Sequence, residues 1–160
     1  KNITGKLVMV TGAGGSIGSE LSRQILGFNP KQLLLLDNSE TPLYSIDLEL
    51  DKEASETLVV PCIGDVRSTI RLERIFSKYK PDIVYHAAAY KHVPMMELSP
   101  VDAVHNNVLG TFNVASMANK HHAKKFVMIS TDKAVRPTSV MGATKRVAEM
   151  AVQSMNGNGT

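Results

Sequence analysis

The sequence lacks the features that mark disulfide-rich, membrane-spanning and nucleic-acid-binding proteins. Its 160 residues contain one cysteine, Cys62, and no tryptophan, so no internal disulfide can form and a reducing compartment is favoured. No apolar run approaches the roughly 20 residues that span a bilayer, and we expect no signal peptide. The net charge is only +3, and the basic residues are scattered among acidic ones. This pattern favours an anionic small ligand over a nucleic acid.

Short apolar runs alternate with segments of helical periodicity along the whole chain. Parallel strands joined by helices are buried on both faces and connected by right-handed crossovers. We therefore predict one α/β domain over residues 1–160, a doubly wound parallel sheet with strand order 3-2-1-4-5. The predicted strands cover residues 7–10, 33–36, 57–62, 82–85 and 125–129.

The predicted strand order locates the ligand site. Ligands of such sheets bind beyond the carboxyl ends of the strands, at the point where the strand order reverses. Residues 12–18, 86–97 and 130–145 all follow strands at that edge. We expect residues 86–98 to form a long loop, and Ser99-Pro100 to begin a long helix.

A glycine-rich segment follows the first predicted strand and opens a helix. Glycine suits a tight turn close to a pyrophosphate, and the helix N-terminus offers free N–H groups to phosphates. Asp37, at the end of the second strand, can accept both ribose hydroxyls, and no arginine follows it to bind a 2'-phosphate. The pattern predicts NAD rather than NADP, while a glycine-rich turn with a capping aspartate stays an alternative. The predicted contacts here are Gly12, Gly15, Ser16, Ile17, Gly18, Asp37 and Asn38.

Adjacent ionisable residues stand at the mouth of the fifth strand. Asp132 and Lys133 follow it directly, and Lys145 lies in the next predicted helix. A buried core would strip these groups of their hydration at high cost. They therefore indicate a site, although Asp132 and Lys133 could also be a solvated turn pair.

Four motifs together resemble the extended short-chain dehydrogenase/reductase family, whose fold is an NAD-binding Rossmann domain. The resemblance implies that Asp65 and Val66 hold the adenine, that Ala87, Ala88 and Ala89 line the nicotinamide side, and that Asn107 braces the site. Taken singly, Asp65 could be a helix cap, the alanines close packing, and Asn107 a solvated position. The motifs are Gly12-Ala13-Gly14-Gly15-Ser16-Ile17-Gly18, Gly64-Asp65-Val66, His86-Ala87-Ala88-Ala89 and Asn107-Val108-Leu109-Gly110-Thr111.

The chain departs from that family at one position. Members carry Tyr-x-x-x-Lys on the active-site helix, with both side chains on one face. Here the pair is Met141 and Lys145. Methionine transfers no proton, so the usual tyrosinate base is absent, while the resemblance still implies that Lys145 holds the nicotinamide ribose.

Three further stretches are similar to the nucleotide-sugar 4,6-dehydratases that act on UDP-N-acetylglucosamine in polysaccharide and glycan synthesis. In that group the larger, membrane-anchored members have Met in place of Tyr. The resemblance implies a cytoplasmic domain that is a fragment, with a substrate lobe after residue 160 and membrane helices before residue 1. The stretches are Lys91-His92-Val93-Pro94, Ser130-Thr131-Asp132-Lys133-Ala134-Val135-Arg136-Pro137 and Val140-Met141-Gly142-Ala143-Thr144-Lys145-Arg146.

The same resemblance implies roles in a dehydration. Asp132 would be the acid at the C6 oxygen, Lys133 the base at C5 and Thr131 a hydrogen-bond partner at C4. A lysine base must be neutral, which burial or the charge of Lys145 would favour. Lys91 and His92 would face the sugar diphosphate, or else be solvated.

Two other functions are compatible with the same residues. A UDP-sugar epimerase shares the scaffold, and a non-catalytic NAD-binding module would also lack the tyrosine. No His, Cys or carboxylate set has metal-ligand spacing, so no metal is expected. The family resemblance further implies a homo-oligomer paired through the helix that begins near Ser99 and the helix after the fifth strand.

Overall fold

A five-stranded parallel sheet forms the centre of the chain, in a computed structural model that describes residues 3–54 and 56–155. The strand order is β3-β2-β1-β4-β5, which confirms the predicted topology. The other positions of the predicted 1–160 domain lie outside the described residues. The strands are β1 Leu7–Thr11, β2 Gln32–Asp37, β3 Leu58–Ile63, β4 Ile83–His86 and β5 Lys125–Met128.

Seven α-helices accompany the strands in the described part of the chain. They are α1 Ser16–Leu26, α2 Glu40–Glu53, α3 Thr69–Tyr79, α4 Val93–Leu98, α5 Pro100–Ala103, α6 Gly110–Lys120 and α7 Val140–Met155. A π-helical segment, Val104–Leu109, joins α5 to α6, and a 3₁₀ turn, Asp132–Ala134, precedes α7.

Alternation of side chains along the strands produces two apolar layers. On β1, Val8 and Val10 face α1 and α2 in one layer, while Met9 faces the opposite layer with Phe76 of α3 and Val114 of α6. All five of these side chains are fully buried. Burial on both faces explains why the central strands are continuously apolar rather than alternating.

Two local predictions were wrong. Residues 86–98 are not all loop, because Val93–Leu98 forms α4, with Pro94 in its first turn. Proline favours this position because its missing N–H has no helical partner there in any case. The predicted long helix from Ser99-Pro100 is interrupted by the π-helical segment, which places both Asn106 and Asn107 in the interior.

The register of β1 and β4 sets the ligand edge of the sheet. Thr11 pairs with His86 at the carboxyl end of these two strands. The glycine-rich segment and Ala87–Ala89 therefore leave the sheet side by side. The fold thus places the predicted cofactor residues of two distant segments next to each other.

Candidate active site

The glycine segment after β1 packs backbone against backbone. Gly12 has φ +69°, and a Cβ there would lie 2.7 Å from the Cα of Ala88. A Cβ on Gly18 would lie 1.9 Å from the carbonyl oxygen of Gly12. Neither position can accept a side chain without movement of the backbone. Gly15, which directly precedes α1, lines the groove beyond the sheet, while Ser16 and Ile17 at the start of α1 are exposed and do not line it.

Asp37 closes one end of that groove. Its carboxylate accepts the N–H of Gly14 at 2.9 Å and the N–H of Ser39 at 2.9 Å. A carboxylate has about four acceptor positions, so capacity remains for two ribose hydroxyls. The groove is lined by Gly12, Gly15, Leu36, Asp37, Asn38, Gly64, Val66, Ala87, Ala88, Ala89, Tyr90 and Asn106.

Asp65 lies at the rim of the groove and is held by Arg67. The guanidinium Nη2 is 2.6 Å from the Asp65 carboxylate, and this hydrogen bond lowers the pKa of Asp65. Asp65 is not the cap of α3, because Ser68 takes that place and accepts the N–H of Arg71. Val66 is buried and lines the groove, while its contact with adenine stays a prediction.

A buried histidine joins the ends of β1 and β4 to α6. The hydroxyl of Thr111 donates to the carbonyl of Asn107 at 2.6 Å, so it accepts the Nε2–H of His86 at 2.9 Å. The Nδ1 of His86 then accepts from the hydroxyl of Thr11 at 2.7 Å. Burial and the positive charge of Lys145 lower the pKa of His86 to about 3. The imidazole is therefore neutral and rigidly held under the site.

Asn107 links three segments around the site. It is fully buried, so the alternative of a solvated position was wrong. Its Oδ1 accepts the N–H of Tyr90 at 2.8 Å, and its Nδ2 donates to the carbonyl of Tyr90 at 3.0 Å. The same Nδ2 donates to the hydroxyl of Thr144 on α7 at 3.1 Å. Asn107 thus fixes the segment after β4 relative to α7.

A second pocket of about 360 Å³ lies beyond β4 and β5. It combines the predicted sugar and nicotinamide positions in one place. Ala87, Ala89 and Tyr90 line both this pocket and the groove, so the two spaces adjoin. The pocket is lined by Ile17, Ala87, Ala89, Tyr90, Lys91, His92, Ile129, Ser130, Thr131, Lys133, Met141 and Lys145.

Lys145 is the buried cation of this pocket, with 5% of its surface exposed. Its Nζ donates to the carbonyl oxygen of Ile129 at 2.7 Å. Burial lowers the pKa of Lys145 to about 8, and the negative charge of Glu149 partly opposes the change. Lys145 is therefore largely protonated at pH 7 and able to donate a hydrogen bond.

The turn after β5 is held against the first turn of α7. A Cβ on Gly142 would lie 2.5 Å from the carbonyl oxygen of Lys133, so only glycine permits this approach. The turn presents Thr131 and Lys133 to the pocket, and the Lys133 side chain is 58% exposed. Lys133 is therefore less enclosed than Lys145.

Asp132 stands apart from the other predicted residues. Its side chain is 90% exposed and does not line the pocket. It accepts the hydroxyl of Thr131 at 3.0 Å and lies 3.5 Å from the Nζ of Lys133. The hydrogen bond from Thr131 and the charge of Lys133 lower the pKa of Asp132. In this arrangement Asp132 is a carboxylate facing outward.

Several residues that shape the site were missed from the sequence. Tyr90 lines both the groove and the pocket, but an aromatic residue in a loop carries no specific signal. Thr11 and Thr111 hold His86 across 75 and 25 residues of chain. Such long-range pairs become visible only when the strands are in register.

Neither a metal-binding cluster nor a membrane-spanning helix occurs within residues 3–54 and 56–155. No group of three or more His, Cys, Asp or Glu side chains in these ranges is arranged to hold a metal ion. Within the same ranges, no helix combines the length and apolar character that crossing a membrane requires.

The Rossmann sheet, the glycine segment and Lys145 on α7 define the class of the protein. They are the features of an extended short-chain dehydrogenase/reductase of the nucleotide-sugar type. The family described as polysaccharide biosynthesis protein matches residues 8–160. The chain belongs to this polysaccharide biosynthesis family.

The relatives include a capsular polysaccharide biosynthesis protein and enzymes of two named activities. The chain is 52% identical to the capsular polysaccharide biosynthesis protein CapD of Staphylococcus aureus, over 98% of this chain and 26% of that protein. It is 35% identical to a UDP-glucose 4-epimerase of Rickettsia canadensis, over 94% and 46%. It is 31% identical to an inverting UDP-N-acetylglucosamine 4,6-dehydratase of Campylobacter jejuni strain 81-176, over 96% and 46%. The chain thus spans about a quarter to a half of these relatives.

Solved structures show the same fold. Pen from Bacillus thuringiensis matches 99% of this chain and 47% of its own, with TM-score 0.88 and 31% identity. The Bordetella bronchiseptica enzyme WbmG, solved in complex with NAD, matches 92% of this chain and 49% of its own, with TM-score 0.73 and 26% identity.

Proposed function

We propose that this chain is the NAD-binding part of a UDP-N-acetylglucosamine 4,6-dehydratase in polysaccharide or glycan biosynthesis. The observation that carries the proposal is the pocket beyond β4 and β5. There Met141 takes the place of the usual tyrosine, while Lys133, Lys145 and Thr131 line the same space. The dehydratase relative of Campylobacter jejuni supports the substrate class.

The groove fits the proposed cofactor. Gly12 and Gly15 line it without side chains, and Gly18 packs against the carbonyl of Gly12, so a pyrophosphate could approach the backbone closely. Asp37 retains acceptor positions for the adenosine ribose, and NAD is named for the WbmG complex. NAD rather than NADP is therefore proposed.

Bound NAD would supply a hydride acceptor for transient oxidation at C4 of the sugar and would return the hydride at C6. The protein would position the sugar and move two protons. Oxidation at C4 releases the C4 hydroxyl proton and makes the C5 proton acidic. Lys133 would remove the C5 proton, and an acid would give a proton to the leaving C6 hydroxyl, so that the water formed balances the proton released at C4. When the hydride returns to C6, Lys133 would return its proton to C5. Lys145 would donate to the nicotinamide ribose, since it is buried and largely protonated.

Thr131 and Asp132 complete the proposed catalytic set. The hydroxyl of Thr131 reaches the pocket and would hydrogen-bond the C4 oxygen. Asp132 would act as the acid at the C6 oxygen only after its carboxylate leaves Thr131 and Lys133 and takes up a proton. We therefore propose a change in the Asp132 side chain when the sugar binds. Lys91 and His92, which line the pocket from the other side, would face the diphosphate.

Assembly and location are part of the same proposal. Exposed apolar side chains occur along the helical stretch from α5 to α6, at Val101, Leu109 and Phe112, and on α7 at Val147 and Met150. Contiguous exposed apolar surface is typical of protein interfaces. The exposed apolar side chains on these helices therefore support the proposed homo-oligomer. A cytoplasmic location, with any membrane contact made by regions outside this chain, stays a prediction.

The decisive experiment is incubation of the full-length protein with NAD and UDP-N-acetylglucosamine, followed by mass analysis. A dehydratase yields a 4-keto product lighter by one water and exchanges the C5 proton with solvent. A product of unchanged mass would contradict dehydration. Neither product nor C5 exchange would instead favour a non-catalytic NAD-binding module.

A UDP-sugar epimerase is the second candidate. The 35% identity with the UDP-glucose 4-epimerase of Rickettsia canadensis favours it. An epimerase would share oxidation at C4 or deprotonation at C5 but need not lose the C6 hydroxyl. The same mass measurement therefore separates the two activities, because an epimer has the mass of its substrate.

A further inference from the structure

The segment that follows Ala89 is attached to α7 at a point remote from the cofactor groove. Glu97, near the end of α4, points its carboxylate at the start of α7. Its Oε1 accepts the N–H of Val140, the first residue of that helix, at 2.7 Å. The two residues are 43 positions apart in the sequence. The contact is therefore tertiary and not a local cap.

The first turn of a helix needs such a partner. Its N–H groups have no acceptor within the helix, and its positive end favours a negative charge. In α7 the N–H of Gly142 is bound by the hydroxyl of Ser139 at 3.1 Å, and Ala143 binds the carbonyl of Ser139 at 2.9 Å. Glu97 supplies the acceptor for the N–H of Val140. Of these three acceptors, only the Glu97 carboxylate carries a charge.

Apolar packing accompanies this hydrogen bond. Met96 of α4 and Met141 of α7 are 6% and 4% exposed, and they form one cluster with Ala103. Val93 and Val140 pack against the same cluster. The short helix α4 is thus attached to α7 by adjacent polar and apolar contacts, which we call the α4–α7 contact, made by Met96, Glu97, Val140 and Met141.

The α4–α7 contact lies between the two groups that face the pocket. Lys91 and His92 stand at the N-terminal end of α4, while Met141 and Lys145 lie on α7. All four line the same pocket. Fastening α4 to the first turn of α7 therefore fixes the distance between the two walls of the pocket.

We propose that Glu97 is a positioning residue that fastens α4 to α7, so that Lys91 and His92 are held opposite Lys145 for the bound nucleotide sugar. This inference deepens the proposed dehydratase function and rests on it for the identity of the ligand. The structural part, the attachment itself, does not depend on which reaction follows. Glu97 touches neither the groove nor the pocket, so its effect is exerted through the elements that it joins.

The test uses Glu97→Ala, Glu97→Gln and Glu97→Asp in the full-length protein. Amide hydrogen exchange at Val140–Ala143 should become about tenfold faster in Glu97→Ala, since the N-terminus of α7 loses its acceptor. Glu97→Gln keeps an acceptor oxygen and should stay within about threefold of wild type. Glu97→Asp keeps the charge but shortens the side chain, and it should resemble Glu97→Ala.

Glu20→Ala is the matched control. Glu20 is an exposed glutamate whose side-chain partners, Arg23 and Gln24, lie on its own helix. Its replacement should leave exchange at Val140–Ala143 unchanged. Equal exchange at these amides in wild type and Glu97→Ala would overturn the proposal, and so would equal acceleration in Glu20→Ala.

Steady-state kinetics tests the consequence for the pocket. In Glu97→Ala the KM for UDP-N-acetylglucosamine should rise about fivefold to tenfold with kcat within about threefold, because binding in the ground and transition states is weakened alike. NAD affinity should change by less than about twofold. A fall in kcat with unchanged KM would contradict the positioning role. If the protein forms no dehydrated product, the proposed function fails, while the exchange measurement still decides the attachment.

Discussion

The proposed cofactor groove and the proposed sugar pocket are built in different ways. The groove is shaped by main chain, with Gly12 and Gly18 packed so closely that no Cβ fits. The pocket is shaped by side chains from segments far apart in sequence, held by hydrogen bonds such as those of Asn107 and Glu97. A glycine in the groove whose Cβ would collide with backbone cannot be replaced without moving that backbone. In the pocket, by contrast, one side chain can be replaced without disturbing the others.

The two regions also differ in electrostatics. The groove relies on helix N–H groups and the carboxylate of Asp37. The pocket contains the amines of Lys91, Lys133 and Lys145, of which only Lys145 is buried. Burial lowers the pKa of the Lys145 amine, a change that the main-chain N–H groups of the groove cannot undergo. The predictions below separate the two regions.

The largest effect is expected from Lys133→Ala in the full-length protein. Loss of a general base typically costs 10²-fold to 10⁴-fold, so C5 proton exchange should fall about a thousandfold. NAD affinity should be unchanged, because Lys133 does not line the groove. Proton exchange followed by NMR, with NAD titration as the control, makes the measurement. Normal C5 exchange in Lys133→Ala would exclude its role as the base.

Gly12→Ala should damage the groove instead. The added Cβ would lie 2.7 Å from Ala88 in a backbone with φ +69°, which costs roughly 3 kcal/mol in strain and overpacking. NAD affinity should fall at least about tenfold. Gly27→Ala is the control, because Gly27 has φ −61° and its Cβ would meet its nearest neighbour at 3.4 Å. Denaturant unfolding and NAD titration measure both effects, and equal behaviour of the two variants would contradict this account of the groove.

Burial of Lys145 predicts a dependence of stability on pH. Its pKa is lowered from 10.5 to about 8 in the folded protein. Between these values the unfolded chain holds a proton that the folded chain has lost, so stability rises with pH. Each unit of difference corresponds to about 1.4 kcal/mol. The stability of wild type relative to Lys145→Met should therefore rise by about 3 kcal/mol from pH 8 to 10.5.

Denaturant unfolding of both proteins across this pH range measures the Lys145 effect. In the difference between the free energies of unfolding of wild type and Lys145→Met, the contributions of all other titrating groups cancel, because both proteins contain them. Lys31→Met replaces an exposed lysine outside the pocket and controls for the loss of a lysine side chain as such. A flat difference for Lys145→Met would show that the amine is not buried in the folded state.

The smallest effect is expected from Met141→Tyr. Met141 is 4% exposed in an apolar cluster, so a larger side chain with a hydroxyl should cost about 1–2 kcal/mol. Met141→Leu conserves volume and should cost less. A tyrosine four residues before Lys145 adds a titrating group to the pocket, so the pH–rate profile should change. An unchanged profile would contradict the view that loss of tyrosine moved proton transfer to Lys133 and Asp132.

Most of the fold was predictable because periodicity is a local property. The five strands and their order follow from apolar runs and right-handed crossovers, and the structure confirms them. The α4 helix and the π-helical segment were missed. Both segments pack against α7. The sequence around Met96 and Asn107 contains no local pattern that would predict this contact.

The candidate site was predictable to a different extent in each region. Gly12, Gly15 and Gly18 form a local signal with Asp37 at the end of the next strand, and the structure places Asp37 at the end of the glycine groove. The pocket was predicted as a set of residues, and the structure brings Lys133, Met141 and Lys145 together. Asp132 faces outward instead. Its direction depends on hydrogen bonds within the turn, which residue type alone does not specify.

The sequence by itself determined the class of sheet, the glycine groove and the absence of tyrosine four residues before Lys145. These are properties of periodicity, of backbone freedom at glycine and of residue identity. Only the tertiary structure decided that Lys145 is buried and Lys133 is not, that His86 is buried between two threonines and neutral, and that Glu97 reaches Val140. Burial and long-range hydrogen bonds arise only when distant segments pack together, because hydration and dielectric environment are properties of the assembled fold.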